Sequence, residues 1–259
     1  MSVTAEQFAE LMPAPGQLLS DEPEMESSLH YQQLALLVSC LEWYWRERQD
    51  FFIGANLTVY YSQQQLKQRD FRGPDFFLVR DTDRTPRNSW VVWEEGGRYP
   101  DLIIELLSDS TARVDRGDKK DLYQNVFRTP EYFWFAPDTL EFAGFRLLHK
   151  RYRPITPNKR GQLWSSVLGL FLGIEDGQLR YFERSGDLVP SLPESILCER
   201  ALLEEERARV AEERGKFERE QERAKQEHER AKRESERADS ERLRAEQLAE
   251  RLRALGVNV

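Results

Sequence analysis

Cysteine and histidine are scarce in this chain: Cys40 and Cys198 are the only cysteines, and three histidines lie far apart. Neither cysteine belongs to a metal-spaced set, which argues against a zinc site, and no disulfide framework is implied. A reducing, cytoplasmic setting is the expectation. Long apolar runs are missing too. The longest, Val167 to Ile174, is far short of the ~20 residues that cross a bilayer. Met1 to Gly16 carries acids and prolines where a signal peptide has a cationic start and an apolar stretch. Positive charge is in deficit: the formal net charge is −8, most of it before Cys198. That speaks against a broad duplex-binding surface, because non-specific affinity for DNA comes from many Lys/Arg–phosphate contacts. A local basic rim is compatible with an acidic total. No helix-turn-helix or zinc-finger reader is legible.

What is present divides in two. Residues 1–197 hold nearly all the aromatics and have the composition of a globular domain, while residues 198–259 are Glu, Arg, Lys and Ala with Phe217 as the single aromatic. In the first part, Leu34, Leu37, Val38, Leu41 and Trp45 recur at three- and four-residue spacing, which predicts an amphipathic helix over Leu29–Arg48. Strands are predicted over Phe51–Tyr61, Asp75–Arg80, Trp90–Trp93 and Asp101–Leu107, punctuated by Pro86-Arg87-Asn88 and Glu95-Gly96-Gly97. A helix from about Gly117 to Phe127 precedes strands over Glu131–Ala136 and Glu141–Leu148. Shorter β segments follow over Trp164–Ile174 and Gln178–Glu183. This order predicts an α/β sandwich around a central mixed sheet.

In the tail, Leu203, Val210, Phe217, Ala224, Ala231, Ala238, Ala245 and Leu252 fall seven residues apart. The residue three after each is Glu until Leu248, and the residue six after each is basic, from Arg209 to Arg251. The period predicts a long charged helix with coiled-coil character. Its single apolar stripe is Ala in the middle, so two states stand side by side. One is a coiled coil through residues 203–252 with a second copy or a partner; the other is a lone helix held by Glu–Arg pairs.

The candidate chemistry lies in the globular part. Asp75 heads an apolar run after Pro74, and Glu105 sits inside another, sharing a strand face with Asp101, Ile103 and Leu107. An ionised Glu among Ile and Leu is costly unless it is paired or metal-bound. Lys119 opens the following helix with Tyr123 four residues on, on the same face; Lys120 is its neighbour, and composition does not decide which amine faces the carboxylates. Two carboxylates and an amine from two strands and a helix suit metal-assisted phosphodiester hydrolysis, with Mg²⁺ or Mn²⁺ on Asp75 and Glu105. Each residue also has an ordinary reading: a solvated turn acid, a buried ion pair, a surface lysine. Asp101 lies about 13 Å along the strand from Glu105, too far to share an ion. Glu26, ahead of the first helix, is a further candidate ligand, although acids and Ser caps are ordinary at a helix start.

These residues and their flanks resemble the Uma-two family, described as restriction endonucleases within the PD-(D/E)XK nuclease superfamily. The likeness is carried by Pro74-Asp75, by Asp101-Leu102-Ile103-Ile104-Glu105-Leu106-Leu107-Ser108 with Thr111, by Asp115-Arg116-Gly117-Asp118-Lys119 with Tyr123, and by Glu131-Tyr132-Phe133-Trp134. It runs from about Glu22 to Glu194, including Gly161, Leu168-Gly169-Leu170 and Leu179-Arg180, and leaves out the tail. The resemblance implies a restriction-endonuclease-like fold, a metal site of Asp75 and Glu105, and Lys119 as catalytic lysine. The superfamily usually carries its lysine two residues after the second acid, where this chain has Leu107; the resemblance places that lysine on the next helix.

The expectation is therefore a metal-dependent endonuclease acting on DNA. Two rivals stand beside it. One is an inactive nuclease-fold module that works through its coiled-coil tail. The other is a nuclease for single-stranded or structured nucleic acid, with Trp43, Trp45, Trp90 or Trp93 stacking on bases.

Overall fold

Ser27 has extended backbone and accepts the backbone N–H of His30 on its hydroxyl, which starts helix α1 at Ser28–Tyr44. Leu34, Leu37, Cys40 and Leu41 are its buried stripe. The structure, a computed structural model, describes residues 16–22, 25, 27–62, 73–108 and 115–254. Strands β1 (Phe51–Ala55), β2 (Val59–Tyr60), β3 (Phe76–Arg80), β4 (Trp90–Val91) and β5 (Leu102–Leu106) follow α1. Helix α2 is a composite, two π-helical turns, Asp115–Lys119 and Tyr123–Phe127, around the α turn Lys120–Leu122. Then come β6 (Glu131–Ala136), β7 (Glu141–Leu148), β8 (Arg151–Pro154), β9 (Leu163–Ser165), β10 (Leu170–Glu175), β11 (Gln178–Phe182) and helix α3 (Leu192–Ala254).

Six strands form one mixed sheet in the order β1-β3-β5-β6-β7-β8, parallel only between β5 and β6. Helix α2 lies in the connection between those parallel strands, as a parallel pair requires. The central strands are buried on both faces, so β3, β5 and β6 read as near-continuous apolar runs. On one face Phe76, Leu78, Leu102, Ile104, Phe133 and Phe135 pack with α1 and with the β11-β10-β9 sheet. The Gln33 amide ties that sheet to α1, donating to the Leu179 carbonyl and accepting from its N–H, each at 3.0 Å. On the other face Phe77, Val79, Ile103 and Tyr132 pack with Tyr123 and Phe127 of α2. The chain is an α/β protein with a mixed central sheet flanked by helices.

Three details depart from the sequence reading. The strand predicted over Phe51–Tyr61 breaks at Asn56, whose left-handed backbone (φ 44°) turns the chain out of the main sheet so that β2 pairs in parallel with β4. The segment Trp164–Ile174 is a hairpin, turning at Gly169 (φ +71°). Strand β8 carries no apolar alternation, and its turn from β7 uses His149 and Lys150, both at positive φ, in a two-residue hairpin without the usual Asn-Gly signal.

The chain separates into two compact units, 1–195 and 196–259. Helix α3 begins with a reciprocal cap, Ser191 N–H donating to Glu194 and Glu194 N–H to the Ser191 hydroxyl. Along the second unit, pairs such as Arg214–Glu218, Lys216–Glu212 and Arg242–Glu246 lie four residues apart, and Leu203, Val210 and Phe217 are exposed. Among the described residues no helix is long and apolar enough to cross a membrane.

Gly54 faces Phe77 across β1 and β3, and a methyl group there would lie 2.1 Å from the ring. Overpacking of this kind costs about 1–3 kcal/mol. Gly54→Ala is expected to lower Tm by on the order of 5 °C in thermal unfolding followed by circular dichroism.

Candidate metal and phosphodiester site

Glu105 is the one acidic residue within β5, and it is fully buried on the face that α2 covers. The antiparallel register places Phe76 opposite Ile104, so the next position along the ladder sets Asp75 opposite Glu105. Two contacts lock that pairing. The Leu106 N–H donates to Asp75 Oδ2 at 2.7 Å, and the Asp75 N–H reaches Glu105 Oε2 at 3.4 Å.

Helix α2 brings the amine. Lys119 Nζ lies 3.0 Å from Glu105 Oε2, and the Tyr123 hydroxyl donates to Glu105 Oε1 at 2.6 Å. The four-residue interval between Lys119 and Tyr123 puts both on the strand-facing side of the helix. Lys120 turns away, its Nζ 3.4 Å from the centroid of the Phe145 ring. Leu107, where a lysine would stand in the usual superfamily pattern, is buried. The structure thus brings Asp75, Glu105 and Lys119 together. The cationic partner of Glu105 is Lys119, not a buried arginine.

Burial pushes the Glu105 carboxyl up to about 7. The Lys119 ammonium opposes that rise, the Asp75 carboxylate adds to it, and the Tyr123 hydroxyl lowers it. The pair of carboxylates suits a hard divalent cation, since oxygen is the preferred donor and Mg²⁺ keeps several of its waters. No group of three or more His, Cys, Asp and Glu gathers among the described residues, so water would have to complete such a shell.

Other candidates fall elsewhere. Asp101 accepts the Arg80 backbone N–H at 2.8 Å and its guanidinium at 3.1 Å, a pairing where β3 ends and β5 begins. Trp45 and Trp90 are core residues, while Trp43 and Trp93 are half-buried. Glu26 lies outside the described residues.

Two positioning residues escaped the sequence reading. Glu22 Oε1 accepts the Gly73 N–H at 2.5 Å and the Thr58 hydroxyl at 2.8 Å, anchoring the segment that delivers Pro74-Asp75. Gly73 admits no side chain there, because a Cβ would lie 2.4 Å from the Leu57 carbonyl. His30 Nε2 lies 3.2 Å from the Leu107 carbonyl; a carbonyl only accepts, so this nitrogen carries the hydrogen, and Nδ1 meets the Ser27 hydroxyl at 2.8 Å. Helix α1 thereby holds the end of β5. Neither residue carried a local signal, since each acts across tens of residues of sequence.

The family model Uma2, described as "Putative restriction endonuclease", matches residues 4–179. A crystal structure at 1.96 Å from Anabaena variabilis ATCC 29413, described as "a putative nuclease belonging to DUF820", is 13% identical. The similarity covers 64% of this chain and 91% of that one, with a TM-score of 0.42. No curated protein matches the chain.

A carboxyl whose pKa rises from 4.5 to about 7 on folding holds a proton that the unfolded chain has already lost in that window. Its stabilising contribution is therefore complete below the unfolded value and disappears as pH climbs toward the folded one. Glu105→Gln keeps the neutral form at every pH. Differential scanning fluorimetry is expected to find the variant more stable than wild type by on the order of 5 °C near pH 8, with the gain gone near pH 4.

Proposed function

The chain belongs to the Uma-two family, and we propose that it is a metal-dependent endonuclease hydrolysing DNA phosphodiester bonds at Asp75, Glu105 and Lys119. The observation that carries this reading is the convergence of Lys119 Nζ on Glu105 Oε2 at 3.0 Å, beside an Asp75 carboxylate fixed by the Leu106 amide.

Asp75 and Glu105 would hold Mg²⁺ or Mn²⁺. A divalent cation there supplies Lewis-acid polarisation of a phosphate and a readily deprotonated water. Lys119 has two tasks. In the resting site it neutralises Glu105; with a phosphodiester present, its ammonium offsets the negative charge that builds on the phosphoryl oxygens. The low exposure of its side chain strengthens that effect, because water screens it little. Tyr123 holds the second oxygen of Glu105, so the carboxylate keeps one orientation while Lys119 moves between partners. The leucine at position 107 leaves Lys119 as the amine for this role.

The tail enters the same reading as a joining element. Its heptad stripe through residues 203–252 would associate two copies, or one copy and a partner helix, and a symmetric pair would set two sites on one duplex.

A carboxylate must be ionised to bind a cation. With Glu105 titrating near 7, Mn²⁺ affinity measured by isothermal calorimetry is expected to rise about tenfold per pH unit below neutrality and to level off above it. Glu105→Ala is expected to abolish binding. A wild-type protein that binds neither Mn²⁺ nor Mg²⁺ at millimolar concentration with DNA present would make this fold a binding scaffold and end the enzyme reading.

In a plasmid-nicking assay with Mn²⁺, Lys119→Met is expected to lose about 10²–10³ in rate while still binding the metal. Nicking by Lys119→Met at the wild-type rate would remove the lysine from the mechanism.

A further inference from the structure

Trp134 is the one residue of β6 that is not buried. Across the three central strands β3, β5 and β6, only Trp134 and Arg80 keep partial access to solvent. Arg80 sits at the end of its strand, paired with Asp101. Trp134 stands inside its strand, where a sheet covered on both faces ordinarily encloses a large apolar ring.

Register places this indole beside the acids. The parallel pairing of β5 with β6 sets Trp134 directly next to Glu105, and the antiparallel pairing of β6 with β7 sets Ala143 next to Trp134. With Asp75 opposite Glu105, one row crosses four adjacent strands on the α2 face: Asp75, Glu105, Trp134, Ala143. Neighbouring strands lie about 4.8 Å apart, so the indole is rooted one strand spacing from Glu105. Both residues stand near the carboxyl ends of the parallel pair, the end of an α/β sheet that takes up ligands. On the far side of Trp134 the row continues with the half-buried methyl group of Ala143, not with a large side chain.

Five further tryptophans are engaged elsewhere. Trp45 meets Phe51 edge-on, Trp90 stacks on Phe52, and Trp164 meets Phe171 edge-on. Trp43 lies under the Arg46 guanidinium, and Trp93 packs beside Leu18, Tyr60 and Val91. None of the five stands on a strand next to β5.

A flat apolar ring next to the place where a phosphate would be cut suits a nucleobase. Indole stacks on bases of any sequence. A base within a duplex has its faces taken by its neighbours in the stack, so a side chain gains a face only where the nucleotide is unpaired and splayed out. Net charge points the same way. A chain of formal net charge −8 offers little of the many-cation attraction that holds duplex DNA, whereas stacking needs no positive charge.

We propose that Trp134 is the base-stacking platform of the site and that the substrate is DNA unpaired at the nucleotide next to the cut. The base of that nucleotide lies on the indole, and the scissile phosphate lies at Asp75, Glu105 and Lys119. This assignment rests on the nuclease reading for the position of the cut. Stacking thus falls to a tryptophan that register reveals, and not to Trp43, Trp45, Trp90 or Trp93.

The test is fluorescence anisotropy of the full chain in EDTA, with a labelled deoxythymidine strand of about 20 nucleotides and a duplex of the same length. Wild type is expected to bind the single strand more tightly than the duplex. Trp134→Leu keeps a large apolar side chain in the strand but has no π face, and is expected to weaken single-strand binding about 10-fold. Trp134→Phe restores a ring and is expected to recover most of that loss. Neither variant removes a phosphate contact, so the slope of log K against log salt is expected to match wild type. Single-strand affinity equal in Trp134→Leu and wild type would overturn the proposal. Equal losses in the Leu and Phe variants, the mark of a packing role, would do the same, as would tighter binding of the duplex by wild type. Because no metal is present, the measurement is separate from the nicking assay. Trp134-dependent binding by a protein that never nicks DNA upholds the platform and removes the endonuclease reading alone. Nicking by a protein whose single-strand binding ignores Trp134 removes the platform alone.

Discussion

A carboxylate buried to the last atom in the middle of a sheet is the constraint on which this structure turns. Glu105 has no access to water, so its charge must be balanced by the protein or given up to a proton. Helix α2 meets that demand with Lys119 on one oxygen and Tyr123 on the other, and Asp75 is held alongside by the peptide N–H next to Glu105. Remove the acid and the geometry of the helix over the strand loses its polar reason. Even with Lys119 beside it, burial holds the carboxyl near 7. Such a group would give the proposed metal site a proton to exchange for a cation.

The rest of the globular unit is built to hold those side chains still. Central strands buried on both faces give β5 little freedom, and the parallel pairing of β5 with β6 obliges the chain to cross over the sheet through α2. From the other face, α1 clamps the end of β5 through His30 and Leu107, while Glu22 and Gly73 fix the approach to Asp75. Three distant parts of the chain therefore converge on a few oxygens.

Much of this was legible in the sequence because it is local. The α1 stripe has helical period, β3, β5 and β6 are short apolar runs bounded by turns, and the seven-residue repeat of the tail is one long helix. Asp75 and Glu105 stood out as acids at the head of and inside apolar runs, while Lys119 was singled out by the family resemblance and shares a helix face with Tyr123. The failures have physical causes as well. Strand β8 is short, charged and at an edge, so it has no apolar face to betray it. The hairpin at His149 and Lys150 relies on left-handed backbone at residues that rarely adopt it. The break at Asn56 depends on where β2 finds its partner.

The sequence by itself determined the period of each helix and strand, the division into a globular unit and a charged helix, the cost of placing an acid in β5, and the family likeness. Only the tertiary structure decided that Asp75 lies across from Glu105, that Lys119 and not Lys120 reaches Glu105, and that Glu22 and His30 brace the site. The reason is the range of the forces involved. Periodicity and turn chemistry act over a few residues, whereas strand register, the direction of a side chain across a helix and the neutralisation of a charge depend on which distant segments pack together.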